Sequence, residues 1–211
     1  MIWNNVLKRE IPDTWTVESF GDICTYENGD RSSNYPSVSD FKSSGIPFIN
    51  GGAIEGSFVN SASLQYITEE KFQSLRAGKA NRKDILLTLR GSLEKCVYSP
   101  FDKAAIASAL VIIRAKNDIP TSFVYHSLIS DYFRQLCRNY NNGSVQANLS
   151  VDVVSAFPCI IPDSTTLNRF AEYADRIDDR ILQIYEENEH LQRLRHWLLP
   201  MLMSGQATIA D

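Results

Sequence analysis

Between Leu75 and Cys96 the chain carries six cations, Arg76, Lys79, Arg82, Lys83, Arg90 and Lys95, against only two acids, Asp84 and Glu94. They flank the apolar run from Ile85 to Leu89, which reads as a strand with cations at both ends. Guanidinium and ammonium groups in such a place suit an anionic partner. The tight turn Arg90-Gly91-Ser92 would present an arginine side chain and backbone N–H groups to phosphates or base edges. Two polar loops have matching chemistry. One contains Arg31 and Asn34, and the other contains Asn142, Ser144, Gln146 and Asn148. Amide side chains address adenine through two bonds, and arginine addresses guanine in the same way. The plain alternative is that these loops are ordinary turns and the charges a solvated face.

Reaction chemistry is not visible. The sequence contains no phosphate-binding loop, no dinucleotide fingerprint, no zinc-protease helix and no nucleophile elbow. His126 falls on an apolar helical pattern, and His190 and His196 fall in a charged one. The acid pairs Glu69-Glu70 and Asp178-Asp179 are adjacent, so on a helix they diverge by about 100° and share no site. Cys24, Cys96, Cys137 and Cys159 are widely spaced, which reads as buried free thiols rather than a zinc site or a disulfide. The expectation is a protein that is not an enzyme and holds no metal or cofactor.

The chain has 211 residues and a formal net charge of −4. Residues 1–162 balance 16 basic against 16 acidic side chains, whereas residues 163–211 hold 5 against 9. All the acidity therefore lies in the last quarter, and the two parts are expected to meet different partners. No run is apolar enough for a membrane span and the start is unlike a signal peptide, so the expected location is the cytoplasm.

The elements that position these residues follow two periods. Up to Pro162, short β-rich runs (46–49, 85–89, 109–113 and 158–161) alternate with turn signals such as Asn28-Gly29 and Asn50-Gly51-Gly52. One helix is predicted from Ile119 to Tyr140. The fold class expected is α+β, a compact mixed domain over 1–162 followed by one long helix over 163–211. Asp163 or Ser164 caps that helix, Pro200 kinks or ends it, and Gly205 is a stop signal. Along it Leu167, Phe170, Ala174, Ile177, Ile181, Ile184, Asn188, Leu191, Arg195 and Leu198 recur at alternate threes and fours. That is a coiled-coil seam requiring a second helix from another molecule. Asn188 either sets its register or sits at its edge, where a strict heptad drifts.

Five stretches in order give these features a family. They are "IPDTWTVESFGDI" from Ile11, "GIPFING" from Gly45, "KDILLTLRGSLEK" from Lys83, "NNGSVQANLSVDVVSAFPCIIPD" from Asn141 and "RHWLLPMLMSGQATI" from Arg195. Together they resemble one half of a specificity subunit of the type I restriction–modification enzymes. The resemblance implies a target-recognition domain that reads one half of a split site in double-stranded DNA. It also implies a long helix that spaces two such domains and docks adenine-methylating subunits, with a restriction subunit as a further partner. On this basis a homodimer reading a split palindrome is expected. The alternative is a truncated specificity chain that pairs with a different one and alters its target. The DNA-facing residues would be Arg31, Asn34, Lys79, Arg82, Lys83, Arg90, Ser92, Lys95, Asn142, Ser144 and Gln146. Methyltransferase motifs are missing, as the resemblance implies for a subunit that reads DNA while another performs the chemistry.

Overall fold

The computed structural model describes residues 1–5, 7–91, 95–116, 118–141 and 148–206. The chain divides into two compact units, Met1–Ala174 and Asp175–Asp211.

The first unit is organised around the strand Ile85–Thr88, every residue of which is buried. It pairs antiparallel with Cys96–Tyr98 on one side and with Leu110–Ala115 on the other. Leu110–Ala115 in turn pairs with Cys24–Asn28, completing a four-stranded antiparallel sheet. Successive side chains of a strand point to opposite faces, and here both faces are covered. Ile85, Leu87, Val111 and Ile113 enter one apolar cluster with Phe20, Phe123, Leu128, Phe133 and Leu167. Leu86, Leu110, Ile112 and Val97 enter the other with Phe48, Ile49, Ile67 and Ile106. A sheet dry on both faces reads as unbroken apolar runs instead of alternation, which is why 85–89 and 109–113 stand out in the sequence.

The second cluster is closed by another four-stranded sheet of Gln65–Ile67, Ile46–Ile49, Ala104–Ile106 and Lys79–Ala80. Its one parallel pairing joins Ile46–Ile49 to Ala104–Ile106. Helices cover the first cluster. The single helix expected from Ile119 to Tyr140 is two helices, Thr121–Leu128 and Asp131–Asn141. Ser130 divides them, because its hydroxyl donates to the Ser127 carbonyl at 2.7 Å and accepts the Phe133 N–H at 3.2 Å. A serine that bonds its own backbone offers an alternative to helix continuation. The strand Pro158–Ile161 falls where the sequence places it and pairs with Thr16–Ser19.

The long helix runs Ser164–Met203. Asp163 caps it, accepting the Thr166 N–H at 3.0 Å. Pro200 does not end it. The missing N–H removes one hydrogen bond, and three further residues complete the turn before Gly205, at φ 72°, stops it. The compact first unit extends to Ala174, about three turns into this helix and past the boundary expected at Pro162. The reason is Leu167, a member of the first cluster and only 5% exposed. Among the described residues no helix is long and apolar enough to cross a membrane.

Candidate nucleic-acid interface

Three loops converge at one end of the antiparallel sheet. The first follows the strand Cys24–Asn28. Gly29 is required there, since a Cβ would lie 2.3 Å from the Ala107 carbonyl oxygen. Gly78 at φ 78° crosses so closely that its own Cβ would stand 2.8 Å from the Gly29 Cα. Asp30, 3% exposed, fastens the crossing. One of its carboxylate oxygens accepts the Ser32 N–H at 2.6 Å and the other the Arg76 N–H at 2.7 Å. Burial opposes the charge on Asp30, but the bonds from Ser32 and Arg76 outweigh it and hold its pKa below the usual carboxylate value. Arg31 therefore leaves a fixed backbone, and its guanidinium donates to the Ser108 carbonyl at 3.2 Å.

The second loop follows the strand Ile85–Thr88. Leu89 is held by two backbone bonds, its N–H to Ala109 and its carbonyl accepting from Leu149, each at 2.8 Å. Arg90 bridges to Asn148, and Gly91 turns the chain at φ 82°. The Arg90 side chain is exposed and has no hydrogen-bonding partner among the described residues. The third wall comes from Tyr140, at the end of the helix Asp131–Asn141, and from the segment 148–152. There Ser150 accepts the Val153 N–H at 3.3 Å and sets the first turn of the short helix Val151–Ala156. These walls enclose a polar cleft of about 480 Å³ lined by Asn28, Arg31, Arg90, Tyr140, Asn148 and Asp152 among others.

The cleft brings together Arg31 and Arg90, which lie 59 positions apart in the chain. It does not bring together the cations around Arg90. Lys83 and Arg90 stand at opposite ends of a strand, seven residues or about 23 Å apart. Contiguity in sequence is thus not contiguity in space. Lys79 donates to the Gln73 carbonyl at 3.0 Å, and Arg82 to the Pro100 carbonyl at 2.9 Å. Lys95 is on the Arg90 side, but its ammonium donates to the Gly51 and Ile54 carbonyls at 3.0 and 2.7 Å. Asn34 donates to the Ser74 carbonyl at 2.7 Å and so ties the Arg31 loop to the end of the helix Glu69–Ser74. Lys83 is exposed in a left-handed conformation, φ 65°. Ser92, Asn142, Ser144 and Gln146 lie outside the described residues.

Sequence reading missed the acid of the cleft, Asp152, and it missed Arg114. The last carried a signal. A lone arginine in the run Leu110–Ala115 requires carboxylate partners once the strand is buried, and Asp84 and Glu27 supply them.

The seam residues are divided. Leu167 and Ala174 are buried, and Phe170 meets Phe123 and His126 edge-on at 6.2 and 5.7 Å within the first unit. In the second unit Ile177, Ile181, Ile184, Asn188, Leu191 and Leu198 are exposed. A second, apolar concavity of about 370 Å³ lies in the first unit between Trp15, Phe123, His126, Ile160 and Phe170.

The layered fold and the long helix have known counterparts. The family model of the type I restriction modification DNA specificity domain matches residues 12–193, and the chain belongs to that family. The specificity subunit of the type I restriction enzyme MjaIX of Methanocaldococcus jannaschii is 24% identical over the whole chain, which spans 48% of that protein. Among solved structures, the HsdS subunit of Thermoanaerobacter tengcongensis aligns with a TM-score of 0.58 at 13% identity, over 92% of this chain and 46% of that one. The S subunit from M. genitalium aligns at 0.59 and 17%, over 89% and 45%. The chain thus spans about half the length of these relatives.

Proposed function

We propose that the first unit reads one half of a split DNA site through the Arg31–Arg90 cleft, and that the second unit pairs with a second copy of the chain. The observation that carries the reading is the cleft itself. Two arginines from distant loops, one of them unpaired among the described residues, line it together with amide side chains at one end of a rigid sheet. Base edges are read by such groups from a fixed scaffold. The pairing is supported by the exposed stripe Ile177, Ile181, Ile184, Leu191 and Leu198, which an isolated helix would leave wet. A helix of 40 residues is about 60 Å long, more than one turn of duplex, so two copies would read half-sites separated by a spacer. A symmetric pair implies a palindrome. The chain itself would be non-catalytic, and adenine-methylating subunits would dock on the long helices and modify the DNA that the clefts select.

The test is a methylation map. The chain is expressed with the methyltransferase encoded beside it, in cells lacking their own adenine methylation. A split, symmetric motif is expected, and an asymmetric motif would show pairing with a different specificity chain. Binding measurements locate the interface. Arg90→Ala should weaken binding to the mapped site by about 1–3 kcal/mol and relax one base position. Arg31→Ala should lower the slope of log affinity against log salt by about 0.9 per lost phosphate contact. Lys83→Ala, at the far end of the strand, should leave both unchanged. The reverse pattern, with Lys83 sensitive and Arg90 silent, would move the interface to the other end of the sheet.

A further inference from the structure

Asp152 is an unexpected residue in a cleft proposed to read DNA. It lines the same cavity as Arg31 and Arg90 and is exposed there. Among the described residues it forms no ion pair, although both arginines share the cavity with it. Among the described residues nothing donates a hydrogen bond to its carboxylate. A carboxylate facing phosphates would weaken binding to every sequence, because like charges are brought together as water is displaced. The group on a duplex edge that suits a carboxylate is an exocyclic amine. In the major groove a G·C pair offers two acceptors on guanine, O6 and N7, and one donor on cytosine, N4. An arginine and an aspartate reproduce that pattern in reverse, donors for guanine and an acceptor for cytosine.

Resting on the proposal that this cleft contacts DNA, we infer that Asp152 is a specificity-determining residue. With Arg90 it reads a single G·C pair of the half-site, Arg90 donating to guanine and Asp152 accepting from the cytosine N4 amine. The fold supports the assignment of a fixed role. Asp152 sits in the first turn of a helix capped by Ser150, next to Leu149, whose N–H bonds the Leu89 carbonyl beside Arg90. The two side chains thus issue from backbone segments joined by hydrogen bonds, as the bridge between Arg90 and Asn148 also records. Asp152 has a second effect on the same footing. By repelling phosphates it disfavours sequence-independent binding, so affinity is conditional on the right base pair.

The experiment is selection of duplexes from a randomised pool by the full-length chain at fixed salt, with wild type, Arg90→Ala, Asp152→Ala and Asp152→Asn. Wild type is expected to enrich a motif containing a G·C pair that both alanine variants relax. Asp152→Ala should lose discrimination at that pair by on the order of tenfold while its affinity for unrelated duplex rises. Asp152→Asn keeps one acceptor oxygen but loses the charge, so it should weaken discrimination at that pair less than Asp152→Ala does. Circular dichroism on each variant confirms the fold. If Arg90→Ala weakens binding but both Asp152 variants keep the wild-type motif, the inference is overturned and the cleft stands. If Arg90→Ala leaves both affinity and motif intact, the cleft is not the interface and the inference falls with it.

Discussion

Glutamate at both Ile177 and Ile181 is expected to convert the proposed dimer into a monomer, seen as a halving of mass in light scattering, without unfolding the first unit. These isoleucines are 57% and 49% exposed in the single chain, one helical turn apart on the same stripe. Burying an isoleucine contributes about 1.5–3 kcal/mol. Two per chain and two chains make about 6–12 kcal/mol for full burial, or about 3–6 kcal/mol for side chains already half buried, and glutamate adds a desolvation cost in place of each. At 1.4 kcal/mol per factor of ten the pairing weakens by about 10²–10⁴-fold. Affinity for the split site should then fall by about 10²–10⁴, because each half-site is held by an independent event. Affinity for an isolated half-site should not change. Leu167→Glu is the contrasting variant. It lies on the same heptad series but in the core of the first unit, so it should lower the thermal midpoint of that unit. A dimer mass that survives the double substitution would refute the pairing face.

That contrast shows where sequence reading works and where it stops. The buried strands were legible because a sheet covered on both faces leaves an unbroken apolar run, as at Ile85 and Leu110. The helix cap at Asp163 and the stop at Gly205 were legible because each rests on local backbone chemistry. The heptad series was legible as a pattern. Its division was not, since nothing in the spacing tells Leu167, packed against the sheet, from Ile177, exposed. The single helix expected over 119–140 failed for a local reason, since the hydroxyl of Ser130 competes with the helix for backbone groups. In the cleft, Arg31 and Arg90 were recognisable by type, but their meeting depends on strand order, with Leu110–Ala115 lying between their strands. Asp152 gave no signal at all. An acid in a basic surface acquires meaning only when its neighbours are known.

The second large effect concerns the hub that fixes the sheet. Arg114 forks onto Asp84 at 2.8 and 2.6 Å, reaches Glu27 at 2.8 Å and donates to the Lys79 carbonyl at 3.0 Å. The acids are themselves anchored. Glu27 accepts the Gly78 and Lys79 N–H groups at 2.8 and 3.2 Å, and Asp84 accepts the Asn81 N–H at 2.8 Å. Arg114→Ala removes the one cation of this trio and leaves two partly buried carboxylates facing each other. Breaking a buried pair costs about 3–5 kcal/mol. About a third of the Arg114 and Glu27 side chains remains exposed, so screening reduces the expectation to about 2–3 kcal/mol. Arg114→Lys keeps the charge but loses the fork, and should recover only part of the loss.

The pH dependence separates this account from simple loss of packing. Burial raises the pKa of Glu27, but the Arg114 hydrogen bond and the Lys79 and Gly78 N–H groups outweigh it and hold the value below that of an ordinary glutamate. A carboxyl depressed on folding contributes stability above its unfolded pKa, about 4.3 for glutamate, and loses it as pH falls through the lower folded value. Wild type should therefore lose stability in acid below about pH 4. In Arg114→Ala the Glu27 carboxylate loses the hydrogen bond that lowers its pKa, so the gap from wild type should narrow as pH falls. Urea denaturation at pH 7 and pH 3.5 reads this directly. A gap that stays constant across that range would mean that the lost contacts of the Arg114 side chain, not its charge, held the sheet. Since, among the described residues, the hub makes no bond to Arg31 or Arg90, a folded Arg114→Ala chain should also keep the wild-type DNA motif.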